Sequence, residues 1–147
     1  MLTQELLKAT GRLKIELFGD DGNLKDSREI DNLVVTVGKD FIASRMVGTA
    51  ANVMSHMAVG TDNTSPVAGD TTLGAEVGRV ALTSGSSSGA VATYVATFGA
   101  GTGTGALVEA GIFNAGSAGT MLCRTTFAVV NKGASDAMTI TWTVTIS

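Results

Sequence analysis

Two glycine-rich stretches carry spacings that could do chemistry. Gly101-Thr102-Gly103-Thr104-Gly105-Ala106 spells G-x-G-x-x-G/A, the turn that lets backbone amides close on a dinucleotide pyrophosphate. Gly85-Ser86-Ser87-Ser88-Gly89 spells G-x-S-x-G, the sharp turn that exposes a nucleophilic serine. Each motif needs a helix after it. The first also needs an acid about 20 residues on, for the ribose, and the second a histidine downstream. Neither finds them. Arg124 stands where the acid should be, and the one histidine, His56, lies upstream. Both runs therefore read as loops or turns between strands.

The other polar candidates are weaker. His56 and Cys123 are single residues, and one of each cannot build a zinc site without several converging carboxylates. Cys123 also excludes an intrachain disulfide and reads as a small buried hydrophobe. Asp20-Asp21-Gly22-Asn23 lacks the spaced acids and closing glutamate of a calcium loop and reads as a solvated turn. Asn63-Thr64-Ser65 has the letters of a glycosylation sequon, but no secretory signal pattern is seen before it. Glu109 is the one acid of interest. It lies in an otherwise uncharged run, either outward-facing or paired at a subunit contact with Arg79 or Arg124. No catalytic, cofactor-binding or metal-ligating set is expected, and no enzyme activity.

The elements around these residues are mostly strands. Arg12 to Leu17 alternates strictly, and Gly19–Asn23 turns it back into a second strand over Leu24–Val35. Thr36 to Gly48 changes to helical spacing, predicting one short helix near residues 37–47, with Thr36 as N-cap and Gly48 as stop. Strands follow at Met54–Val59 and Val77–Thr83, with a turn-rich loop from Gly60 and one helical turn expected over Asp70–Glu76. Ser84–Gly89 reads as a flexible turn. Three more strands are expected at Ala90–Phe98, Ala106–Asn114 and Thr120–Val130, the last with Cys123, Thr125, Phe127 and Val129 on one face. The final strand places Met138, Ile140, Trp142, Val144 and Ile146 on one side and threonines on the other. About eight strands with frequent turns predict an all-β fold, an antiparallel β-sandwich or barrel, as one domain over 11–147. Residues 1–10 form an arm, with Leu2, Leu6 and Leu7 on one side of a short helical turn that docks on something, such as a neighbouring subunit.

Charged residues are only 16% of the chain while 20 are threonine, so much of the surface should be covered by association. The net charge of −3 and scattered basic residues argue against direct nucleic-acid binding. No apolar run reaches the roughly 20 residues of a membrane span, so no membrane partner is expected.

Two stretches bear a family likeness. MSHMAVGTDNTSPVAGDTTLGAEVGRVALTS (Met54–Ser84) and GTGTGALVEAGIFNAGSAGTMLCRTTFAVVNKGASDAMTITWTVTIS (Gly101–Ser147) resemble small virion proteins of tailed phages. The nearest likeness is to the cement, or decoration, proteins on the heads of short-tailed phages. That resemblance implies a jelly-roll-like sandwich without cofactors, made in the host bacterial cytoplasm. It implies a homodimer on the outer surface of the capsid that bridges subunits of the major capsid protein. Related blocks in tail-fibre and baseplate components imply the alternative, a trimeric tail module. Under either reading the arm and the loops Gly60–Gly69 and Ser84–Gly89 are the candidate contact parts.

Overall fold

Strand β1 (Ala9–Phe18) buries Leu13, Ile15 and Leu17 and turns Arg12, Lys14 and Glu16 outward, as its alternation dictates. The computed structural model describes residues 5–49 and 51–147. After β1 come β2 (Leu24–Val34), helix α1 (Thr36–Met46), β3 (His56–Gly60), β4 (Glu76–Ala81) and β5 (Ser84–Ser88). Then follow β6 (Val91–Phe98), β7 (Gly105–Phe113), β8 (Met121–Lys132) and β9 (Ala137–Ile146). Among the described residues nine strands pair antiparallel in the order β4-β3-β7-β8-β2-β1-β9-β6-β5.

The sheet has a narrow waist. β2 meets β8 through only Leu33↔Arg124 and Val34↔Cys123, whereas β1 and β9 pair along their whole length. Bending there curls the sheet into a half-barrel around one core. Leu13, Ile140, Trp142 and Phe98 from one half meet Met57, Leu107, Ile112 and Cys123 from the other. The strictly alternating β9 buries Met138, Ile140, Trp142 and Val144.

Helix α1 lies across β8. Gly38 allows it, because a β-carbon at that position would overlap the Leu122 carbonyl. The helix starts one residue earlier than the expected 37–47. Val35 occupies the N-cap without a side-chain cap, and Thr36 instead donates its N–H to the Ala68 carbonyl. Gly48, at φ +68°, ends the helix as expected.

Four local expectations change. Residues 70–76 form no helical turn: bends lead directly into β4. Ser84–Gly89 is not a loose turn, since Ser84–Ser88 is edge strand β5 and only Gly89 (φ +56°) and Ala90 turn the hairpin. The inward face of β8 does not run on to Val129, which is 46% exposed while Val130 is fully buried. A bulge between Leu107 and Glu109 slips the register and flips the strand's faces. Finally, Ala9 and Thr10 belong to β1. Lys8 exchanges backbone hydrogen bonds with Ser147, so residues 5–8 are extended rather than helical. Leu2 and the rest of residues 1–4 lie outside the described residues.

Trp142 Nε1 donates to Asn32 Oδ1 at 2.9 Å, and the Asn32 amide lies over Gly11 of β1. A β-carbon at Gly11 would overlap that amide. Gly11→Ala is expected to cost ~1–3 kcal/mol through overpacking and displacement of Asn32. Urea unfolding followed through Trp142, the one tryptophan, reads this directly; an unchanged midpoint would show that Asn32 moves aside freely.

Candidate functional site

Strand β7 is buried from Leu107 to Phe113 without a break, so both of its faces are covered. Leu107, Ala110 and Ile112 face the main core. On the other face Glu109, Gly111 and Phe113 lie beneath the segment 61–75, which crosses the sheet as a strap. Leu73 anchors it in a second apolar cluster with Phe113, Ala58, Val35 and Met121. Gly111 makes room, because a β-carbon there would press on Leu73 at about 3.1 Å.

A strap laid on a sheet buries backbone N–H groups that have no strand to pair with. Glu109, fully buried, supplies the acceptors. Its Oε2 accepts from the N–H groups of Asp62 (3.0 Å) and Ala75 (2.8 Å), and its Oε1 from Gly74 N–H (2.8 Å). One carboxylate thus pinches both ends of the strap together, beside the Thr61 N–H to Ala75 carbonyl bond. Gly60 and Gly74 permit this closeness. A β-carbon on Gly60 would strike Glu109 and the Ala75 carbonyl, and one on Gly74 would strike Asp62.

The charge on Glu109 is met by Arg124, whose side chain is 3% exposed. Glu109 pairs with Thr126 across the ladder, so Arg124 is its diagonal neighbour on the same face. Arg124 Nε and Nη2 donate to Glu109 Oε1 at 3.2 and 3.0 Å. Nη1 reaches into the strap, donating to the Thr64 carbonyl (3.0 Å) and Asp70 Oδ2 (3.1 Å). Asp62 adds a local turn. Its Oδ1 accepts from the Thr64 N–H and hydroxyl, which hold its carboxyl below the ordinary aspartate value.

Arg79 is not part of this node. It forms a two-pronged pair with Glu76, covers the Phe113 ring at 3.9 Å, and donates to the Ala115 and Ala118 carbonyls. Glu109 is therefore neither outward-facing nor at a subunit contact; it is spent within its own chain. The sequence carried one signal for this. A run such as Leu107-Val108-Glu109-Ala110-Gly111-Ile112-Phe113 without alternation implies burial on both faces, and a charge inside it must be paired.

Lys132 is a further buried charge, and no pattern in the sequence singles it out. Its Nζ donates to the Gly99 carbonyl at 2.9 Å, and burial lowers its pKa, partly offset by nearby Asp136. Asp136 is itself held below its ordinary value, chiefly by its hydrogen bond from Lys25 and then by the Gly133 N–H.

The chemistry-like motifs fall apart in space. Gly101 and Gly103 adopt positive φ in a loop, and β7 rather than a helix follows, so no phosphate cradle forms. Ser87 lies in β5, with a tight turn and β6 after it. His56 opens β3, its Nδ1 2.8 Å from Ser55 Oγ. Cys123 is fully buried, which raises its thiol well above the usual range. Asp21 caps its own turn through Asn23. Among the described residues, no cluster of three or more His, Cys, Asp or Glu side chains could hold a metal, and no helix is long and apolar enough to cross a membrane. Comparisons with protein-family models, curated proteins and solved structures each found no match to this chain.

Glu109→Gln keeps the shape but removes the charge that Arg124 faces. Arg124 keeps Asp70 as a counter-ion, so the expected loss is ~1–3 kcal/mol, the cost of turning one accepting oxygen into a donor among buried donors. Hydrogen exchange at Asp62, Gly74 and Ala75 should accelerate together, ahead of exchange in β9. Uniform acceleration throughout the molecule would instead mean that the strap is not a separate unit.

Proposed function

We propose that the protein is a structural, non-catalytic component of a tailed-phage virion. In this reading it is a cement protein on the outside of the assembled head, where it stabilises contacts between major capsid protein subunits. One observation carries this reading. The most elaborate buried polar network is committed to holding an exposed loop in one shape. Both oxygens of Glu109 are occupied by the strap and Arg124. The product is a rigid strap whose outer residues, such as Asn63, Ser65 and Val67, face solvent. A loop already fixed in its bound shape loses little entropy on docking, which suits adhesion.

The finer architecture is read as a jelly-roll-like sandwich left open along one side. Its support is the single core shared by the two halves of the sheet. A clamp that binds only the assembled lattice stabilises it by mass action, and a homodimer adds to this by engaging two subunits at once.

Purified virions of the phage that encodes the chain provide the test. Quantitative mass spectrometry against the major capsid protein should give hundreds of copies per particle, and gold-labelled antibody should coat the head. A few dozen copies or fewer, with label confined to the tail, would overturn the cement reading in favour of a trimeric tail-fibre or baseplate module. Absence from the virion would overturn both.

A further inference from the structure

An apolar cleft opens between helix α1 and the root of the N-terminal arm. Its volume is about 510 Å³, its floor is Ile42, Ala43, Ala9 and Ile146, and Lys8 and Lys39 stand among its lining residues. A second hollow of about 240 Å³ continues from it, sharing Ile42 and Ile146 and running under the β5–β6 hairpin. Beside the cleft, Met46 is 82% exposed. The arm carries the complementary excess. Leu6 is 66% exposed and Leu7 76%, and Glu5 precedes them. Leu7 borders the cleft without filling it.

The same domain therefore holds an unfilled apolar cleft among lysines and an unburied apolar arm with an acid. We infer that two copies of this chain exchange arms: Leu6 and Leu7 of each enter the α1 cleft of the other, and Glu5 pairs with Lys39 there. Because each arm is rooted at its own cleft, the two clefts face one another across a twofold axis. Arm meets cleft and cleft meets arm, so the interface closes at two copies. Leucines leaving water supply the attraction, and the Glu5–Lys39 pair sets the register. The inference places the interface of the dimer proposed above, but its test needs no phage head.

Analytical ultracentrifugation at micromolar concentration should show a dimer. Leu6→Ser with Leu7→Ser should give a monomer with an unchanged circular dichroism spectrum, because both residues are exposed. E5K and K39E should each weaken the dimer about tenfold, and together restore it to within about threefold of the parent. A monomeric or trimeric parent, or a dimer that survives the double serine change, overturns arm exchange. Failure of the paired charge reversal to restore the dimer overturns the assigned seat. A monomeric parent that coats heads would sink this inference alone, and a stable dimer absent from heads would sink only the cement reading.

Discussion

A carboxylate taken out of water must be met by donors, and on Glu109 that requirement fixes the strap of residues 61–75 over the sheet. Five hydrogen bonds converge on it, three from strap backbone and two from Arg124. The pair is of the kind whose desolvation consumes much of its Coulomb gain, so its contribution is better measured by what it positions than by net stability. It positions 15 residues of chain that have no strand partners along most of their length. Without the carboxylate, three strap N–H groups would lose their acceptor. With it, the strap becomes a second layer on the sheet and seals Leu73 and Phe113 from solvent.

Backbone conformation and packing must agree for that to happen. Gly60, Gly74 and Gly111 are placed where a β-carbon would push the strap off the sheet or press on Leu73. The bulge in the β7–β8 ladder does the complementary work. Glu109 and Arg124 stay diagonal on the outer face, while further along β8 the slipped register buries Val130 and Lys132. The same two strands can thus build a polar node on one face and a hydrophobic core on the other.

These relations explain what the sequence could and could not show. Period-two alternation in β1 and β9 reports directly on burial, because each strand has one wet face and one dry face. Helix α1 was legible from its change of period and from Gly48. β7 was legible as a strand, but its second covered face depends on a strap folded from residues 34 to 48 positions earlier, and that contact has no local signature. β8 misled because a bulge inverts alternation without changing composition. β5 misled because Ser-Gly-Ser-Ser-Ser has poor strand propensity and is held as a strand by pairing with β6. The node is half visible: Arg124 is one of two arginines the sequence offers as a partner for Glu109, but nothing local tells an outward side chain or a contact between chains from one within the chain.

The two ends of the molecule follow opposite strategies. At the strap, the chain spends buried charge and close-packed glycine to give an exposed loop one conformation. At the arm, it leaves leucines in water beside a cleft they do not fill. A surface with few charges and exposed apolar side chains is a liability for an isolated monomer. It becomes an asset when another copy completes it, because burying the arm then depends on assembly. In the proposed assembly, the strap is the preorganised face for one partner, and the arm and cleft serve a second copy.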